Sequence, residues 1–84
     1  ILVVDDDQKI GTMLKRALEY EGYALQVVLT GEDALIAFMQ NSFDLIVLDI
    51  MLPGLSGWEV CQEVRNTSPT PIIMLTAKDE VEER

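Results

Sequence analysis

The stretch Asp44-Leu45-Ile46-Val47-Leu48-Asp49-Ile50-Met51-Leu52-Pro53-Gly54-Leu55-Ser56-Gly57 decides the architecture. Its aliphatic run is unbroken by polar residues, which suits a strand buried on both faces of a parallel sheet. Asp49 closes the run, and Pro53-Gly54-Leu55-Ser56-Gly57 is loop chemistry placed after the strand's carboxyl end. Working outward, the same signature recurs at Ile1-Leu2-Val3-Val4, stopped by Asp5, Asp6 and Asp7, and at Ile72-Ile73-Met74-Leu75, followed by Thr76 and Ala77. Leu25 to Leu29 supplies one more strand.

The intervening segments carry helical periodicity. Ile10, Met13, Leu14, Ala17 and Leu18 recur at helical spacing, with Asp7 placed to cap the start and Gly22 following the end. Thr30 caps a second helix with Glu32 and Asp33 in its first turn and Ala34, Leu35 and Phe38 on one face, ending near Asn41. Ser56 caps a third, carrying Val60, Cys61 and Val64 inward, before Asn66 to Pro71 breaks it. Lys78 to Arg84 reads as the first turns of another helix. Strand and helix alternate throughout, and right-handed crossovers then place helices on both faces of a parallel sheet. The fold class is α/β, doubly wound.

Composition narrows the function. Eighty-four residues support one small domain, and 49% hydrophobic with 25% charged residues excludes disordered and collagen-like chains. Six Lys and Arg against fifteen Asp and Glu give a formal charge of −9, which repels phosphate backbones and anionic membrane surfaces. The expectation is no direct nucleic-acid binding by this segment and no membrane association. No apolar run is long enough to span a bilayer, and no basic flank with a cleavage site opens the chain. A single cysteine, Cys61, rules out an internal disulfide, and the absence of histidine rules out a Cys/His zinc site. A cytoplasmic location is the default expectation.

In open parallel sheets ligands bind outside the carboxyl ends of the strands. The residues there are Asp5, Asp6 and Asp7, then Asp49, then Thr76 and Ala77. Bringing Asp5, Asp6 and Asp49 to one rim makes each carboxylate oppose ionisation of the others, and a hard divalent cation relieves the conflict. Oxygen-only ligation favours magnesium, Mg2+, over a transition metal. A carboxylate beside bound magnesium can also attack an activated phosphoryl group to give an acyl phosphate. Asp49, alone at its strand end, is the candidate for that role, and Thr76 can donate a hydroxyl hydrogen bond to a phosphoryl oxygen.

Plainer roles compete with these. Asp7 is better explained as a helix cap, and Thr76 on sequence alone is as readily the cap of the next helix as a phosphoryl contact. Met13, Met51 and Met74 read as gap-fillers at core spacing, and Cys61 as a small buried hydrophobe. Trp58 is expected half-exposed near the loop.

Leu2 to Asp7, Asp44 to Gly57 and Pro71-Ile72-Ile73-Met74-Leu75-Thr76-Ala77, in that order, resemble the receiver domain of two-component response regulators. The resemblance covers essentially the whole chain and implies a flavodoxin-like sheet of strand order 2-1-3-4. It implies that Asp49 is the phosphoacceptor for a sensor histidine kinase, that Asp6 and Asp49 bind magnesium directly, that Asp5 binds it through water, and that Met51 adds its backbone carbonyl. It further implies that Thr76 is the switch hydroxyl, that the amides of Ile50, Met51 and Ala77 hold the phosphoryl group, and that Pro53 and Gly57 shape the loop. Met51 to Gly54 and Thr76 to Glu80 are similar to the branch whose receivers precede a winged-helix DNA-binding output domain.

The family pattern continues with a fifth strand ending in a lysine and a fifth helix, which have no counterpart in these residues; Lys78 is not that lysine. Residues 1–84 are therefore read as one receiver domain, incomplete at its C-terminal end, with replacement of the missing elements by a partner copy, a homodimer, as the other possibility. A dehalogenase-like phosphatase would need an acid where Met51 stands, and three acids after the first strand would repel a flavin phosphate. The alternative function is a receiver-fold interaction or scaffold module that is never phosphorylated.

Overall fold

The computed structural model describes residues 1–75. Within them β1 (Leu2–Val4), α1 (Gln8–Tyr20), β2 (Gln26–Val28), α2 (Gly31–Gln40), β3 (Ile46–Asp49), α3 (Gly57–Arg65) and β4 (Ile72–Leu75) follow one another in strict alternation. The strands form one parallel sheet in the order β2-β1-β3-β4, as the family resemblance implied. Thr76, Ala77 and the helical reading of Lys78 to Arg84 lie outside the described residues.

Two of the three uninterrupted aliphatic runs, in β1 and β3, hold the centre and are covered on both faces, while the third, β4, lies at the sheet edge. Leu2, Val4, Ile46 and Leu48, all 1% exposed or less, pack with Ala34 and Ala37 of α2 and Val60 and Val64 of α3. Val3 and Val47, the alternate residues, are buried on the other face. Each such side chain contributes about 1.5–3 kcal/mol relative to exposure, so the sheet centre carries most of the stability.

Helix starts follow the expected caps. The Asp7 side chain accepts from Lys9 N–H at 2.9 Å, Thr30 accepts from Asp33 N–H at 3.0 Å, and Ser56 accepts from Glu59 N–H at 3.3 Å while Glu59 accepts from Ser56 N–H at 3.0 Å. Gly22, with φ +96°, turns the chain after α1. Its N–H donates to Glu19 O at 3.0 Å.

Three expectations need correction. On α1, Met13 is 60% exposed and Ile10 and Ala17 are also exposed, so the packed face is Gly11, Leu14 and Leu18. The helix approaches β2 most closely at Gly11, where a methyl would stand 2.8 Å from Val27 Cγ1, and Leu14 and Leu18 are half-buried along the same side. Met51 is exposed rather than a gap-filler, and Cys61 is half-buried rather than fully buried. Trp58 is 42% exposed, as expected. No helix among the described residues is long and apolar enough to cross a membrane.

Candidate functional site

Parallel register builds the site. Val4 pairs with Leu48, so the next residues along β1 and β3, Asp5 and Asp49, leave the sheet side by side at its carboxyl edge. Both are almost inaccessible, 3% and 5% exposed, and they are the buried charged residues of the described chain. Asp6 is exposed beside them. One carboxylate oxygen from each of Asp5, Asp6 and Asp49 lies within 4.8 Å of the others.

The loops hold two of these carboxylates in place. Asp7 N–H donates to Asp5 Oδ1 at 2.9 Å, and Met51 N–H donates to Asp49 Oδ1 at 3.0 Å. Asp5 N–H is tied to Val28 O at 3.2 Å, so β2 also fixes the start of the acidic turn. A cleft of about 450 Å³ opens over the group, lined by Asp5, Asp6, Asp7, Ile10, Asp49, Met51 and Leu75.

Behind Asp49 the backbone is packed against backbone. A Cβ at Gly57 would collide with the Asp49 carbonyl and sit 2.8 Å from Ile50 Cα, so only glycine admits this approach. Gly57 N–H donates to Ile50 O at 3.1 Å, and the loop between them folds Leu52 into the core. Ile50 N–H donates to Leu75 O at 3.0 Å and is thus engaged in the sheet, whereas the Met51 amide faces the Asp49 carboxylate.

Electrostatically the site is unfinished. Burial pushes the Asp5 carboxyl above the usual carboxylate range; the Asp7 N–H bond opposes this, and the charges of Asp49, Asp6 and Asp7 add to it. Among the described residues no Lys or Arg forms an ion pair with these acids, the one such pair being Lys15 with Glu19 on α1. Three converging oxygen donors, with no cationic side chain paired to them among the described residues, fit a hard divalent cation. They do not fit a soft metal, for which neither thiolate nor imidazole is at hand.

The structure therefore brings together Asp5, Asp6, Asp49 and the Met51 backbone. It places Asp7 on the cleft as the α1 cap. Sequence reasoning did not anticipate that Asp5 and Asp49 each bond the amide two residues ahead, although an aspartate ending a strand before a turn is the usual signal for such a bond.

The family model of the response regulator receiver domain matches residues 1–84. The chain is 48% identical over 80 residues to the transcriptional regulatory protein ResD of Bacillus subtilis, covering 95% of this chain and 33% of ResD. Among solved structures it is similar to TrrA from Thermotoga maritima in complex with Mg2+-BeF, with TM-score 0.86 and 44% identity over 93% of this chain and 69% of that one. It is also similar to DrrB, a Thermotoga maritima OmpR/PhoB homologue, with TM-score 0.82 and 36% identity over 94% of this chain and 36% of that one. The chain thus spans about a third of the length of the curated relatives it matches.

Proposed function

The chain belongs to the response regulator receiver domain family, and from that premise we propose that it is a switch in which Asp49 accepts a phosphoryl group from a sensor histidine kinase. The observation that supports this most strongly is the convergence of three carboxylates, two of them buried, with no cationic side chain paired to them among the described residues.

Asp5, Asp6 and Asp49 would hold magnesium, with the Met51 carbonyl as a further oxygen. When bound, the ion neutralises charge on the acceptor and on the incoming phosphoryl group. An Asp49 carboxylate oxygen attacks phosphorus, forming a P–O bond as the P–N bond to the donor imidazole breaks, and the electron pair leaves with the imidazole. The Met51 N–H, which orients Asp49 at 3.0 Å, stands beside the forming acyl phosphate. The amides of Ile50 and Ala77 are assigned to the same anion, the former after release from Leu75. Thr76 supplies the hydroxyl that turns toward it and shifts the population of conformers around the adjoining helix.

The domain catalyses its own modification and no turnover of a metabolite. Its partners in this reading are the kinase and, in a longer parent chain, an output domain of the DNA-binding kind, with a second copy of the chain as a further candidate. The location is cytoplasmic, where such a kinase presents its phosphohistidine.

Intact mass after incubation with magnesium and acetyl phosphate tests the reading. One added phosphoryl group, lost in Asp49→Asn and without magnesium, is expected. No addition either to a folded chain that binds magnesium or to a version extended through the fifth strand would move the assignment to a scaffold module.

A further inference from the structure

The loop that carries the acceptor does not rest on β3 alone. Its far side lies against the first turn of α2, where Gly31 is buried. A Cβ on Gly31 would sit 2.6 Å from Leu55 O, 2.8 Å from Val60 Cγ2 and 3.2 Å from Leu55 Cβ. One residue along on each partner the contact continues, since a Cβ on Gly54 would lie 3.2 Å from Glu32 Oε2. Gly31 has no need of glycine for its backbone angles, because the positive-φ glycines are Gly22 and Gly54. Its lack of a side chain therefore serves approach, and the atom approached is a backbone oxygen that cannot turn away.

The loop is thus held from two sides, by Gly57 against Asp49 and Ile50 and by Gly31 against Leu55. Between these supports Met51 N–H meets Asp49 Oδ1. We propose that Gly31 is a positioning residue for phosphoryl transfer: the first turn of α2 sets where the loop from Ile50 to Ser56 lies, and through Met51 it sets the orientation of the Asp49 carboxylate. The inference rests on Asp49 as acceptor, and it extends the site to a helix that contributes no group to it. It also makes α2 a lever, because whatever displaces its first turn acts on the acceptor.

The test compares Gly31→Ala with Gly11→Ala, which introduces a clash with a side chain, 2.8 Å from Val27 Cγ1, where α1 meets β2 and not the loop. Three quantities are read at a temperature where both variants are folded: the Met51 amide resonance, the magnesium affinity, and the initial rate of acetyl phosphate transfer at saturating magnesium. Gly31→Ala is expected to shift the Met51 resonance, weaken magnesium binding and slow transfer by about tenfold, less than the roughly hundredfold that a 1 Å misplacement can cost. Gly11→Ala should lose stability and leave all three unchanged. Adding Val60→Ala to Gly31→Ala removes the Val60 part of the clash but not the contact with Leu55 O, so transfer should stay slow whether or not stability recovers. Recovery of transfer, or a Met51 resonance and magnesium affinity indistinguishable from the parent's, would overturn the proposal. Absence of transfer both in the parent and in a version extended through the fifth strand would instead reject Asp49 as acceptor, and the resonance and affinity would then decide the role of Gly31.

Discussion

Asp5 and Asp49 occupy equivalent places on adjacent parallel strands, and each commits Oδ1 to the amide two residues ahead, Asp7 at 2.9 Å and Met51 at 3.0 Å. Two nearly inaccessible carboxylates are thereby fixed face to face, each supported from its own loop and neither neutralised by a side chain among the described residues. Such an arrangement is unfavourable for folding and favourable for a cation.

Asp5→Asn should therefore stabilise the metal-free chain. Asparagine keeps an oxygen for Asp7 N–H and removes a buried charge that faces Asp49 and Asp6. The unfolding midpoint in urea is expected to rise with the slope unchanged, whereas the magnesium response should fall by an order of magnitude or more, the usual loss with an altered ligand set. A lower midpoint would mean that Asp5 is mainly a structural residue.

The pH dependence has a definite sign. The Asp5 carboxyl is raised in the folded state, so between its unfolded and folded values the folded state binds more protons and stability falls as pH rises. Without metal, the parent should gain stability on acidification from neutrality through the range where Asp5 protonates, and lose that gain in Asp5→Asn. Saturating magnesium should suppress the gain, since the ion competes with the proton. Urea titrations of both chains across that range, with and without magnesium, measure it.

Magnesium itself should stabilise the fold. At about one hundred times its dissociation constant the gain is about 2.7 kcal/mol for one site that the unfolded chain lacks. Asp49→Asn measured at the same concentration should gain less than half of that. Equal gains would place the ion away from the β1–β3 edge.

Gly57→Ala sets a Cβ against the Asp49 carbonyl and Ile50 Cα. Because both are backbone, the overpacking penalty of about 1–3 kcal/mol applies with little scope for relief. Thermal unfolding should show the loss, and mass spectrometry should show slower phosphorylation of the fraction that remains folded.

The capping box of α3 gives a prediction free of the site's chemistry. Ser56→Ala should cost about 1 kcal/mol. Glu59→Ala should cost less, and the double variant less than the sum, since each side chain serves the other's amide.

Much of this was legible in the sequence because its signals are local. The aliphatic runs at Leu2–Val4 and Ile46–Leu48 are buried strands, and Asp7, Thr30 and Ser56 are caps, for reasons confined to a few neighbouring residues. The α1 face was misread at Met13 and Ala17 because periodicity marks every apolar residue as inward. Which of them packs depends on how close the helix comes to β2, and that distance is set at Gly11.

By itself the sequence determined the alternation of elements, the parallel sheet and the identity of the strand-end acids, since hydrophobic period and turn chemistry act over a handful of residues. Only the tertiary structure decided that Asp5 and Asp49 stand side by side, that their second neighbours hold them, and that α2 meets the loop after Asp49 at Gly31. Those are distances between segments far apart in the chain, fixed by strand register and by backbone packed on backbone, and no local pattern of side chains encodes them.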